Sequence, residues 1–154
     1  MMYLVFSQEP GACPPYERLS TQSGRFFSTT LELVEQSENA VVVRLVVSRP
    51  PLTGEFRIVA RPADREDLMN ARDAEVRGLA AGMATLAERC PQIWTIDAAG
   101  SQIPSEAAYL TLAGICASVA LGPVLPPDGS TLFGVRGAIE RRDKAVETES
   151  RRAR

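Results

Sequence analysis

Residues 64–97 read DREDLMNARDAEVRGLAAGMATLAERCPQIWTID, and this stretch decides the fold. Asp64 can cap the free N–H groups of a first helical turn. Glu66 and Asp67 then place negative charge at the positive end of the helix dipole. Pro91 disfavours helix at Cys90, so the spacing predicts one long helix over 64–90. It runs into an apolar strand, Gln92 to Asp97. Val76, Leu79, Met83, Leu86 and Cys90 recur at spacings of 3, 4, 3 and 4, a narrow amphipathic stripe. Ala74, Gly78 and Gly82 form a second line of small residues. Each interior glycine costs about 1 kcal/mol relative to alanine. Close backbone approach to a sheet or a helix is expected to offset that cost. Either the helix lies wholly on its own sheet, or its second line serves a partner. The second reading makes Gly78 and Gly82 candidate partner contacts and allows a homodimer seam. Two heptads fall short of the three or four that argue a coiled coil.

Working outward, Tyr3 to Phe6 reads as a first strand, and residues 7–24 as a long surface loop bearing Pro10-Gly11 and Pro14-Pro15. Three strands follow. Phe27 to Leu33 alternates with a period of two. Ala40 to Ser48 is β-branched on both faces and reads as central. After the Arg49–Gly54 connection, Glu55 to Ala60 is the third. Short connections make these a meander. A second helix starts at Ser105, carries no charge through its body and stops at Gly122-Pro123, so it should be buried. Pro126 to Gly129 is a turn and Thr131 to Val135 a last strand, bent at Gly134 and Gly137. The expected fold is α+β: an antiparallel β-meander with two helices, one long and amphipathic and one buried, in the order β-βββ-α-β-α-β. Residues 1–139 form the compact domain, and 140–154 a charged, flexible C-terminal tail, either a frayed helix or a disordered segment.

Composition removes several function classes. The chain has 154 residues, 45% hydrophobic and 23% charged, with a net charge of −2. That is core enough for one domain and no global attraction for nucleic acid or an anionic membrane. Sixteen arginines against the single Lys144 fit a GC-rich coding bias, because they are spread along the chain. No histidine is present, which excludes histidine-based general base catalysis and histidine metal ligation. Cys13, Cys90 and Cys116 are too few and too far apart for a zinc site or a disulfide framework. They fit a reducing cytoplasm. No secretory signal is visible at the start. Residues 107–127 lack charge, but Gly114, Gly122, Pro123, Pro126 and Pro127 interrupt them, so no membrane span is expected.

The chemistry-bearing candidates are sparse. Asp97 closes a strand, where ligand groups collect in open α/β sheets, or it simply closes the Asp97–Gly100 turn. Asp64, Glu66, Asp67, Asp73 and Glu75 read as caps and a solvated face rather than a metal cluster. The segments around Asp128-Gly129 and Gly134 to Gly137 lack the spacing of phosphate loops. Arg136 is the basic residue there best placed to be held in position. Cys90 sits at the negative end of a helix dipole, which disfavours a thiolate. These readings predict no metal, no cofactor and no nucleic-acid partner. They predict a small cytoplasmic protein-binding module that works through packing surface, with another protein or a second copy as partner. The alternative is a small-molecule site or enzyme cleft near Asp97, Asp128 and Arg136.

Overall fold

The computed structural model describes residues 1–46 and 52–152. In chain order the elements are β1 (Tyr3–Ser7), α1 (Tyr16–Phe27), β2 (Thr30–Gln36), β3 (Ala40–Val46), β4 (Gly54–Pro62), α2 (Arg65–Gly78), α3 (Met83–Glu88), β5 (Gln92–Ala98), α4 (Glu106–Ala120), β6 (Val124–Leu125) and α5 (Val135–Arg152). The fold is α+β, with a six-stranded sheet ordered β2-β3-β4-β5-β1-β6 and every neighbouring pair antiparallel. The predicted extension of β3 to Ser48, the Arg49–Pro51 connection and the last two tail residues lie outside the described residues.

Alternation places one row of each strand on the main core. Val41, Ile58, Ile96 and Tyr3 are register partners across four strands, and Ala60, Trp94, Val5 and Val124 form a parallel row. Helices α1, α4 and α5 cover this face. Helix α4 is buried along nearly its whole length, as its uncharged body predicts, and Ser105 caps it by accepting from the Ala108 N–H. Gly114 lets the three helices close up: a Cβ there would stand 2.6 Å from the Phe27 ring and 3.1 Å from Ala138. On the opposite face Phe6 and Ile93 pair across β1 and β5. There they meet Ala71, Ala74, Ala84, Ala87 and Cys90 from α2, α3 and the turn after them. The small side chains allow close seating of short helices.

Three expectations are corrected. The long helix over 64–90 is two helices. It starts as predicted, with a reciprocal capping box between Asp64 and Asp67. It stops at Leu79, which turns left-handed at φ 53, and restarts after Gly82 at φ 88. The Glu75 carboxylate accepts from the Gly82 N–H at 2.7 Å and satisfies the break. The heptad stripe therefore does not lie on one helix, and Val76 and Leu79 are 75% and 89% exposed. The homodimer seam loses its continuous helix.

The predicted 7–24 loop contains α1, and β2 begins at Thr30 rather than Phe27. Tyr16 anchors the helix by donating its hydroxyl to the Leu31 carbonyl at 2.7 Å, while Leu19, Ser23 and Phe27 turn inward. The predicted last strand gives way to the start of α5, which continues through the tail to Arg152, the helical one of its two readings. Only Phe133 bridges Val124, and Val135 already begins the helix. Ala138 is buried, Ile139 and Ala145 pack against the core, and Arg142 lies over the Phe27 ring at 5.8 Å. The element order is therefore richer by three helices than β-βββ-α-β-α-β.

Candidate functional site

The Phe26-Phe27 pair sets up the most apolar concavity among the described cavities. Adjacent helical residues point about 100° apart, so when Phe27 enters the core Phe26 must leave it. Phe26 is 49% exposed, with the Arg25 guanidinium 5.3 Å from its ring centre. It forms one wall of a groove of about 690 Å³. Leu86 of α3, Ala117 and Leu121 at the end of α4, and Val135 at the start of α5 supply its other apolar side chains.

Leu121 is held tightly. It ends α4 in a left-handed conformation at φ 58, and its side chain is still 59% exposed. A non-glycine residue in that region costs roughly 1–2 kcal/mol. The Gln8 N–H donates to Ala120 at 2.8 Å, and the Gln8 side-chain amide donates to the Leu121 carbonyl at 2.7 Å. Gly122 then passes so close to the Phe6 carbonyl that a Cβ would lie 2.0 Å from its oxygen. The groove rim is thus fixed by backbone contacts, with no charged side chain in its lining.

The sequence candidates lie elsewhere. Asp97 is exposed on β5 opposite Arg57 of β4 and accepts from the Ala98 N–H at 2.8 Å. Asp128 accepts from the Ser130 N–H at 3.0 Å, and hydrogen bonds to Ser130 hold its carboxyl below the usual range. The Arg136 side chain is 95% exposed and faces Glu140 one turn on at 3.5 Å. None of the described cavities is lined by more than one of these three. Asp128 borders two small ones, of about 340 and 200 Å³. Gly78 is occupied within the chain by Thr131, and Gly82 faces open space.

A further cleft of about 620 Å³ lies beside Arg44, Gly54 and Ile103. Its guanidinium is already engaged by Glu55 at 3.0 Å and Glu32 at 3.5 Å.

Nucleophile chemistry has little support. Burial pushes the Cys90 thiol up to about 11 and Cys116 higher still, and Cys13 is also raised by burial. Asp67, the most buried carboxylate of the acidic run, is fully engaged. It accepts from Arg61 at 2.7 and 2.9 Å and from the Asp64 N–H at 2.9 Å. Among the described residues no group of three or more His, Cys, Asp or Glu could hold a metal. None of the described helices is long and apolar enough to cross a membrane.

Sequence reasoning missed Phe26, Leu86, Leu121 and Val135. One signal was available, since two adjacent phenylalanines cannot both face one core. The other was a leucine directly before the Gly122-Pro123 stop, in the position where a helix often turns left-handed. No known protein family, curated protein or solved structure matches the chain.

Proposed function

We propose that this chain is a small cytoplasmic protein-binding module and that the groove at the end of α4 receives an apolar segment of another protein. One observation carries the reading: Leu121 is strained and solvent-exposed at once, on the rim of a groove that Phe26 also leaves open. A partner that covered both side chains would remove apolar surface from water at about 25 cal/mol per Å². It would meet no charge in the lining that needs desolvation. Recognition of an amphipathic helix by an apolar groove works in this way. The free thiols fit a reducing compartment. The small-molecule reading near Asp97, Asp128 and Arg136 loses support, because the three side chains line no common cavity.

The test is co-purification of the tagged full-length protein from its own cells, beside Phe26→Ser and Leu121→Asn variants, followed by reconstitution with the purified partner. Asparagine tolerates the left-handed conformation, so the second variant keeps the fold. The reading expects one defined partner whose affinity falls about tenfold or more in each variant. Recovery of a lone protein, or parental affinity in both variants, would contradict it.

A further inference from the structure

Tyr3 is 3% exposed, and its ring is clamped in place. It stacks on Tyr109 at 5.4 Å, and Tyr109 in turn meets Phe56 edge-on at 5.0 Å. Yet among the described residues nothing hydrogen-bonds to the Tyr3 hydroxyl. The ring is buried while the oxygen keeps access to solvent. Tyr3 borders a cavity of about 200 Å³ whose wall also includes Glu106, Asp128, Ser130, Phe133 and Arg141. Glu106 comes from the first turn of α4, Asp128 from the turn after β6 and Arg141 from the second turn of α5. Three separate elements therefore bring charge to one unpartnered hydroxyl.

The charges are arranged rather than pooled. Arg141 is held 4.5 Å above the Phe133 ring centre, a cation–π contact that fixes its guanidinium at one side. Asp128 is fixed by the Ser130 N–H. Glu106 makes no ion pair among the described residues. Burial first, then Glu106 and Asp128, push the Tyr3 hydroxyl up to about 12, against an opposing effect of Arg141. The phenol thus stays protonated at physiological pH, offering a lone pair and an O–H but no base. This set has two carboxylates and a phenol oxygen as acceptors, facing one guanidinium and a serine as donors.

We propose that the cavity binds a small zwitterion of amino-acid size, with its ammonium on Glu106, Asp128 and the Tyr3 oxygen and its carboxylate on Arg141. An ammonium has three donors and no acceptor, which matches the three acceptors. A guanidinium matches a carboxylate in a planar, two-pronged way. The volume is below that of drug-sized ligand sites, which limits the ligand to a small molecule. The site is independent of the groove. No residue lines both, and the two adjoin where Phe133 of the cavity precedes Gly134 and Val135 of the groove.

The test uses the full-length protein and titration calorimetry with the twenty common amino acids, their decarboxylated amines and their N-acetyl derivatives. At least one amino acid should bind with a Kd of about 1 mM or tighter. Its amine and its N-acetyl derivative should bind about tenfold or more weakly. Tyr3→Phe and Glu106→Gln should each weaken binding severalfold while the unliganded melting temperature stays close to that of the parent. Arg141→Gln should lower amino-acid affinity to that of the amine. The proposal is overturned if no amino acid binds at about 10 mM. It is also overturned if the amine binds as tightly as the amino acid, or if Tyr3→Phe and Glu106→Gln leave affinity unchanged.

Discussion

Gly78 and Thr131 stand so close that a Cβ on the glycine would lie 2.0 Å from the threonine Oγ1 and 2.8 Å from its Cα. The glycine that looked like part of a partner-facing line is the seat on which the 131–132 segment closes over α2. Gly78→Ala cannot be relieved by rotating one side chain, because backbone is among the clashing atoms. Helix propensity favours alanine by about 1 kcal/mol, and overpacking costs about 1–3 kcal/mol. The net expectation is a loss of about 1 kcal/mol, read as a lower urea midpoint.

Leu79 gives the opposite sign. It is left-handed at φ 53 and 89% exposed, so it loses strain and no packing when replaced. Leu79→Gly should raise stability by about 1 kcal/mol. Leu79→Asp should leave the fold intact and change stability by less than about 1 kcal/mol. Unfolding of the aspartate variant would restore the single long helix with an apolar core stripe.

These two residues also mark what could be read in the sequence. The β-branched strand from Ala40, the strand around Trp94, the Asp64 cap and the uncharged α4 were legible, because period, capping and charge all agreed there. The break in 64–90 was not, since a stripe of 3-4-3-4 spacing is compatible with one helix or with two joined at glycines. Helix α1 hid behind Pro14-Pro15 and a run of Ser, Thr and Gly with weak helix propensity. Its stability comes from Leu19 and Phe27 against α4, a tertiary effect. Helix α5 left its tail open between a frayed helix and a disordered segment, because its apolar side is carried by Val135, Ala138 and Ile139 near its start and by Ala145 alone beyond them. The Tyr3 site joins positions 3, 106, 128 and 141, a separation that no motif spacing reveals.

Asp67 predicts an acid limb. Burial alone would raise its carboxyl, but hydrogen bonds from Arg61 and the Asp64 backbone outweigh burial and lower it below 3.8. A carboxyl lowered in the folded state stabilises above its unfolded pKa, and that contribution is lost as pH falls through the folded value. Asp67→Asn should therefore cost about 2 kcal/mol at neutral pH, less than for a fully enclosed pair because Arg61 is 37% exposed. Denaturant titrations from pH 7 downward should show a flatter stability loss below pH 3.8 for the variant than for the parent.

The cysteines predict a graded thiol titration. Cys90 and Cys116 are buried with raised pKa values, whereas Cys13 is half-buried near the surface. A thiol reagent at neutral pH should label Cys13 first in the native protein. The other two should react only with unfolding, so their labelling rates should track added urea. Fast native labelling of all three would contradict the packing of α4 and the turn after α3.

The central claim is that a protein partner covers the groove at the end of α4, and hydrogen exchange of the complex tests it most directly. The claim predicts partner-dependent slowing at amides of residues 22–26, 117–122 and 134–135, with no change along the exposed Met69–Leu79 face. Slowing confined to Met69–Leu79, or to strand β2, would contradict it.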